Sequence, residues 1–148
     1  MIVAYIDGLC EPQNPGGTAT FGYLIRDEKG AVVARVSGVV GRGPGMSNNI
    51  AEYAALCEAL KFVLTEGRTR SPIEVRSDSK LLVHQMGGNW RFHKGLYAEK
   101  YHEATRLRNE FTNLEFKWIP REENQEADAL SREAYERSRD KLPILQGL

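Results

Sequence analysis

Two apolar runs of the sequence each stop at an aspartate. Residues 2–6 are mostly β-branched or aromatic and precede Asp7-Gly8, and residues 73–76 follow a proline and precede Ser77-Asp78. Short runs of this composition between turn residues are typical of buried strands. Adjacent parallel strands bring their C-terminal ends to one edge of a sheet, where ligands usually bind. We therefore expect Asp7 and Asp78 to end neighbouring strands and to lie close together.

The rest of the chain continues this alternation of strands and helices. Apolar spacing and turn residues predict further strands over 18–26, 31–40 and 114–119, with a loop over 9–17 and a hairpin turn at 27–30. Helical spacing predicts helices over 48–66, 80–86, 96–111 and 122–138. The order β-β-β-α-β-α-α-β-α indicates an α/β fold, with a mixed sheet that carries helices on its faces.

Length and charge limit the possible partners. The chain has 148 residues, which predicts one domain over 1–148, with an apolar C-terminal tail over about 140–148. Twenty basic and twenty acidic residues give a formal net charge of zero. Any nucleic-acid site must therefore be local, and we expect modest affinity with a shallow salt dependence.

Cysteine usage and hydropathy predict a cytoplasmic protein. The two cysteines, Cys10 and Cys57, have neither CxxC spacing nor histidines at zinc-ligand intervals. We expect both thiols to be reduced, as in an intracellular protein. The N-terminus lacks the basic and apolar regions of a signal peptide, and no apolar run is long enough to cross a membrane. A membrane partner is therefore not expected.

Two more acids are predicted to join the two strand-end aspartates. Glu52 is placed in the first turn of the 48–66 helix, at the edge of its apolar stripe, and Asp128 on the last helix. Four clustered carboxylates repel one another unless a cation compensates them. Oxygen ligands favour Mg²⁺ or Mn²⁺ over zinc. Two such ions, about 3.5–4 Å apart with substrate bound, could activate water and stabilise a leaving oxygen.

Each of these acids also has an ordinary structural interpretation when it is taken alone. Asp7 could be a turn residue before glycine, Asp78 a helix cap, and Asp128 a surface charge. Glu52 could compensate the dipole of its helix. The strand-end positions of the two aspartates and the buried faces beside the two helical acids favour a shared site.

Five segments, in this order, resemble the motifs of type 1 ribonuclease H, over residues 2 to about 135. They are Tyr5-Ile6-Asp7-Gly8, Asn14-Pro15-Gly16-Gly17, Ser47-Asn48-Asn49-Ile50-Ala51-Glu52, Ser77-Asp78-Ser79 and Asn124-Gln125-Glu126-Ala127-Asp128-Ala129-Leu130. The resemblance implies the ribonuclease H fold, a five-stranded mixed sheet with a three-stranded meander at one side. It also implies endonucleolytic hydrolysis of the RNA strand of RNA–DNA hybrids, which leaves 5′-phosphate and 3′-hydroxyl ends.

The same resemblance implies roles for individual residues. Asp7, Glu52, Asp78 and Asp128 match the metal-binding carboxylates of the family. Asn14, Asn48 and Asn49 match residues that contact the hybrid, and Ser47 matches a phosphate-contacting hydroxyl. Amides can donate to and accept from a ribose 2′-hydroxyl, which agrees with this role. Helix capping is the alternative, and one of the three polar residues 47–49 is expected to cap the helix.

The sequence departs from the family pattern in two places. No histidine precedes the last acid, and Arg121 is the best substitute, as a phosphate or metal-site neighbour. Its guanidinium stays protonated, so it cannot shuttle protons, and it could equally be an ordinary surface arginine.

The middle segment, 85–102, is shorter and less basic than the substrate-binding handle of some members. Trp90 suits the groove of a DNA strand, but core packing would explain Trp90 and Phe92 equally well. Lys80 could meet a backbone phosphate or simply be solvated.

Other activities remain open alternatives. A nuclease of the same fold could cut double-stranded RNA as well or instead, and a non-catalytic module could bind hybrids. The clustered acids argue against a protein that only binds hybrids, because their negative charge would face the negative charge of the phosphates. We expect a monomer, and we expect the apolar tail to dock on its own domain rather than on a partner.

Overall fold

The computed structural model describes the backbone of residues 1–146 and the side chains of residues 1–140. The strands are β1 (Ile2–Glu11), β2 (Thr18–Arg26), β3 (Val32–Arg42), β4 (Ile73–Ser77) and β5 (Leu114–Trp118). The helices are α1 (Asn48–Thr65), α2 (Lys80–Met86), α3 (Ala98–Arg108) and α4 (Gln125–Gln146), and a 3₁₀ turn covers Arg121–Glu123. The predicted order of elements is confirmed.

The five strands form one mixed sheet in the order β3-β2-β1-β4-β5. β1, β2 and β3 pair antiparallel as a meander. β4 pairs parallel with β1, and β5 pairs parallel with β4. This is the arrangement that the family resemblance implied, with the meander at one side of the sheet.

β1 extends beyond its predicted end, so the loop predicted over 9–17 is wrong for its first three residues. Leu9 and Cys10 are buried, and the ladder with β2 continues to Glu11 opposite Thr18. The ladder between β1 and β4, however, stops at residues 5 and 76. The prediction that Asp7 ends its strand is therefore wrong. Asp7 lies within β1, at the point where β1 separates from β4.

Helices cover both faces of the sheet. α1 packs on the face that carries Ile6, Tyr23 and Ile25, and α3 packs on α1. α4 packs on the opposite face, where the Thr20 hydroxyl donates to the carbonyl of Ser131 at 2.8 Å. Because helices approach from both sides, the gap between β1 and β4 can receive side chains from two helices.

The last helix differs from its prediction at both ends. It begins at Gln125 because residues 121–123 form a 3₁₀ turn, and it continues to Gln146 rather than ending near 138. The backbone of most of the predicted tail is thus helical. The side chains of residues 141–148, on which the docking prediction depends, lie outside the described residues. None of the described helices is long and apolar enough to cross a membrane.

Candidate active site

α1 approaches β1 most closely at Gly8. A Cβ atom on Gly8 would lie 2.4 Å from the carbonyl carbon of Ala51, so no side chain fits there. The Ser47 hydroxyl caps the helix by accepting from the Ile50 amide at 3.3 Å. The first turn therefore contains no acid, and Glu52 lies just after it, which corrects the predicted first-turn position. Glu52 is buried beside the strand that carries Asp7.

α4 approaches the opposite face of the sheet at Gly22, which stands opposite Asp7 in the β1–β2 ladder. A Cβ atom on Gly22 would lie 2.7 Å from the carbonyl oxygen of Ala127. The Asn124 amide donates to the carbonyl of Ile6 at 2.8 Å and fixes the start of α4 against β1. This contact brings the Asp128 side chain within hydrogen-bonding range of Asp7.

The four predicted acids meet at this end of the sheet. One carboxylate oxygen from each of Asp7, Glu52 and Asp78 lies within 4.8 Å of the others. Asp128 lines the same open pocket. The carboxylates are 45, 26 and 50 residues apart along the chain, so only the fold brings them together. We call these four side chains the carboxylate cluster.

Asp7, Glu52 and Asp78 favour protonation when no cation is bound. Burial, repulsion by Asp78 and contact with Asp128 raise the pKa of Asp7 to about 8. Burial and the charges of Asp7 and Asp78 also raise the pKa of Glu52 well above its usual range. Burial raises the pKa of Asp78 too, although Asn124 and Arg121 partly oppose that shift. The site therefore holds more negative charge than its own cations compensate.

A hard divalent cation fits these residues. Glu52 Oε2 is buried and has no hydrogen-bond partner among the described residues. A buried, unpartnered carboxylate oxygen is costly unless a positive charge meets it. Asp7, Glu52 and Asp78 could hold one cation, with Asp128 beside them, and all these donors are oxygens. Oxygen-only donors suit Mg²⁺ or Mn²⁺.

Three other predicted site residues line the same pocket: Asn14, Asn48 and Arg121. The Asn14 side-chain oxygen accepts from the Asn48 amide at 2.9 Å, which joins the β1–β2 loop to the start of α1. Burial raises the pKa of Asp78, and the charge of Arg121 offsets part of that rise, so the guanidinium lies close enough to act on the carboxylate cluster. All three side chains are exposed and available to a ligand.

The structure leaves the other four predicted residues outside the pocket lining: Ser47, Asn49, Lys80 and Trp90. Ser47 is buried as the helix cap, which confirms that one of the three polar residues caps α1. Trp90 is 47% exposed and stacks on His84 with ring centroids 4.4 Å apart. Core packing is therefore wrong for Trp90. Phe92 is half-buried and lies outside the core cluster, although its ring stacks on Tyr101 with ring centroids 4.5 Å apart.

Sequence reasoning missed several pocket residues, of which Glu11, Trp118 and Arg132 have polar or charged side chains. Arg132 lies 3.8 Å from Asp128 and 3.9 Å from Glu11. Its position four residues after Asp128 on a helix could have indicated it. The indole N–H of Trp118 donates to the carbonyl of Asp78 at 3.1 Å. Only the pairing of β5 with β4 reveals that contact.

Known proteins are similar to this chain in sequence and in fold. A family model described as "Reverse transcriptase-like" matches residues 6–134. The "Ribonuclease HI" of Halobacterium salinarum is 35% identical over 131 residues, which are 88% of this chain and 62% of that protein. The "Bifunctional protein Rv2228c" of Mycobacterium tuberculosis is 31% identical over 121 residues, which are 82% of this chain and 32% of that protein. The chain thus spans about a third of its first mycobacterial relatives.

Solved structures agree with the sequence relatives. LC11-RNase H1, isolated from compost and crystallised in complex with an RNA/DNA hybrid, superposes with a TM-score of 0.83 at 35% identity. The match covers 93% of this chain and 99% of that one. Because the family model covers most of the chain, and a ribonuclease HI and a type 1 ribonuclease H structure each match about nine tenths of it at 35% identity, the chain belongs to the type 1 ribonuclease H family.

Proposed function

We propose that this chain is a metal-dependent endonuclease that hydrolyses the RNA strand of RNA–DNA hybrids and leaves 5′-phosphate and 3′-hydroxyl ends. The observation that carries the proposal is the meeting of three carboxylate oxygens within 4.8 Å, in a pocket that Asp128 also lines. Membership of the ribonuclease H family and a relative that binds an RNA/DNA hybrid support the choice of substrate.

In this proposal Asp7, Glu52, Asp78 and Asp128 hold the catalytic cations, Mg²⁺ with Mn²⁺ as a substitute. Two bound cations supply Lewis acidity, which favours attack by water on the phosphodiester and stabilises negative charge on the leaving oxygen. A cation held by Asp7 and Glu52 would favour their ionised forms, because its charge would oppose the effect of burial. The rigid strand and helices hold the ligand oxygens in place before substrate arrives.

The rest of the pocket binds and orients the hybrid. Asn14 and Asn48 lie together at its edge and present amide groups that can both donate to and accept from a ribose 2′-hydroxyl. Outside the pocket lining, Ser47 caps α1 and Asn49 lies in its first turn, next to Asn48, and Trp90 offers an exposed ring to the second strand. We propose that Arg121 neutralises a phosphate near Asp78, because its fixed charge can attract an anion but cannot relay a proton.

We also propose the domain organisation, the oligomeric state and the cellular location of the protein. We expect residues 1–148 to act as one ribonuclease H domain, as a monomer, in the cytoplasm. The described part of the chain carries the whole carboxylate cluster, which supports activity without a second subunit.

A substrate panel tests the proposal. Labelled RNA–DNA hybrid, double-stranded RNA, double-stranded DNA and single strands are each incubated with Mg²⁺, Mn²⁺ or EDTA. We expect cleavage of the RNA strand of the hybrid with either cation and no cleavage with EDTA.

Two results would overturn this assignment: cleavage of the DNA strand of the hybrid, or activity that survives EDTA. Cleavage of double-stranded RNA alone would move the chain to the alternative activity on the same fold. Binding of hybrid without any cleavage would instead indicate a non-catalytic module.

A further inference from the structure

Trp118 is hydrogen-bonded to the backbone of a site residue, Asp78, although it lies on an edge strand. It is the last residue of β5 and stands opposite Ser77, which directly precedes Asp78. Its indole N–H donates to the carbonyl of Asp78 at 3.1 Å. The residue is 40% exposed, so burial does not explain its size. An aromatic side chain that is exposed and yet fixed in orientation suggests a role toward a ligand.

The ring of Trp118 supports the ammonium group of Lys80. The Nζ atom of Lys80 lies 5.0 Å from the ring centroid, within the range of a cation–π interaction. Among the described residues, no carboxylate lies within salt-bridge distance of this ammonium. The positive charge of Lys80 is therefore held in a defined place without being neutralised.

The position of this pair matters because the neighbouring pocket is strongly negative. Trp118 lines both the pocket of the carboxylate cluster and a second groove, between α2 and β5, that Lys117 and Arg108 also line. A strand that enters this pocket meets buried acids, and the chain as a whole has no net charge to attract it. A fixed, unneutralised ammonium beside the acids offsets that repulsion locally.

We propose that Trp118 is a positioning residue that holds the Lys80 ammonium against a backbone phosphate of the RNA strand, next to the phosphate that is cleaved. This inference rests on the proposed function and adds a residue and a subsite to it. The N–H group of the indole orients the ring through the Asp78 carbonyl, and the ring face orients the charge. The ring acts through Lys80 rather than by stacking on a base, because the ammonium covers its face.

The test measures KM and kcat for hybrid cleavage with Mg²⁺ over a series of NaCl concentrations. Lys80→Gln removes one phosphate contact, so KM rises about fivefold at low salt and the slope of log KM against log salt falls by about 1. Trp118→Leu removes no charge, yet it raises KM about twofold to fivefold and lowers the same slope, because the ammonium is no longer held. The double variant shows no larger change in KM or slope than Lys80→Gln alone.

Two matched variants separate the parts of the mechanism. Trp118→Phe keeps an aromatic face under Lys80 but lacks the indole N–H, so it retains a salt slope near that of the wild type. Lys29→Gln removes an exposed lysine from the β2–β3 turn and changes neither KM nor slope. Thermal unfolding checks that each variant folds. If Trp118→Leu does not fold, Trp118→Met with and without Lys80→Gln carries the test, since loss of the aromatic face then raises KM only when Lys80 is present.

The possible outcomes distinguish this inference from the proposed function. A Trp118→Leu variant with a higher KM and an unchanged salt slope would mean that the ring stacks directly on nucleic acid, which overturns the inference. A Lys80→Gln variant with wild-type KM and slope would overturn it as well. In both cases the wild type still cleaves the hybrid and the proposed function stands. A wild-type protein that does not cleave the hybrid would contradict both the inference and the proposed function.

Discussion

Glu52 and Glu103 are the same residue type in opposite surroundings. Burial raises the pKa of Glu52, and Asp7 and Asp78 raise it further. Burial also opposes the charge of Glu103, but its contacts with Lys61 at 2.8 Å and Lys100 at 3.3 Å lower its pKa overall. One acid is surrounded by other acids, and the other is held between two ammonium groups.

This difference distinguishes an acid whose charge is compensated within the fold from acids whose charge is not. Glu103 joins α3 to α1 through Lys61, and its charge is neutralised within the chain. Asp128 in the carboxylate cluster pairs with Arg132 at 3.8 Å, but among the described residues Asp7 and Glu52 have no salt-bridge partner, and one oxygen of Glu52 has no hydrogen-bond partner. Such an arrangement costs stability unless something outside the chain supplies positive charge. The comparison therefore supports the proposal that the cluster holds a cation.

The largest expected effect comes from Asp7→Asn. This change removes ligand charge at nearly constant volume, so cleavage of the hybrid falls by about 10³-fold or more while the fold is kept. Turnover is measured at saturating Mg²⁺, and circular dichroism reports folding. Glu103→Gln is the matched control and keeps turnover near that of the wild type. Near wild-type turnover for Asp7→Asn would refute its role as a ligand.

Gly8→Ala is expected to displace Glu52 without changing the residue itself. In Gly8→Ala the added methyl meets the Ala51 backbone at 2.4 Å, so α1 must shift away from β1. We expect a loss of about 1–3 kcal/mol in unfolding free energy and a loss of turnover. Urea unfolding and hybrid cleavage measure the two effects. Gly45→Ala, where no atom lies within 4 Å of the added methyl, is the control. Equal behaviour of the two variants would contradict the close approach.

The raised pKa values predict how stability depends on pH without metal. The pKa of Asp7 rises from 3.8 in the unfolded chain to about 8 in the fold, so the folded state binds the proton more tightly. The contribution of Asp7 to the unfolding free energy is then fully present below about pH 4 and is lost as pH rises toward 8. Glu103 works in the opposite direction, but its contribution is complete above about pH 5.

Thermal midpoints in EDTA between pH 5 and pH 8 check this prediction. The wild type should become less stable across this range, and Asp7→Asn should flatten the dependence. Stability that rises with pH over the same range would show that the cluster is compensated by groups of the chain itself.

The smallest effect is expected at the paired acid. Glu103→Gln weakens partly exposed ion pairs, so it lowers the unfolding free energy by about 0.2–1 kcal/mol. Urea unfolding at pH 5 and pH 8 should give the same small loss, because the charge state of Glu103 does not change over this range. A loss of several kcal/mol would mean that the α1–α3 contact depends on this pair far more than the structure indicates.

Much of the fold follows from local sequence patterns. Strand β2 begins and ends as predicted, and the turn at 27–30 forms because Asp27 accepts from the Lys29 and Ala31 amides while Gly30 adopts a positive φ. These features depend on residues close together in the chain. Convergence of the four acids was also predictable, since the strand-end aspartates and the family motifs both pointed to it.

Features that depend on pairing between distant segments were not predictable. β1 continues past Asp7 because its partner β2 continues, which no pattern within residues 7–11 reveals. Trp118 reaches Asp78 only because β5 lies beside β4. Trp90 and Phe92 are two residues apart and equally aromatic, yet one is exposed and the other packs on Tyr101. Their difference depends on the course of the backbone after α2.

Calorimetric titration with Mn²⁺ tests the central claim most directly. Wild-type protein, Glu52→Gln and Glu103→Gln are compared at pH 7 in the absence of nucleic acid. Because one buried oxygen of Glu52 has no partner among the described residues, whereas Glu103 is paired with two lysines, we expect the wild type and Glu103→Gln to bind Mn²⁺ with the same affinity and Glu52→Gln to bind at least about tenfold more weakly. Equal affinity for Mn²⁺ in all three proteins, or no binding by the wild type, would contradict the account.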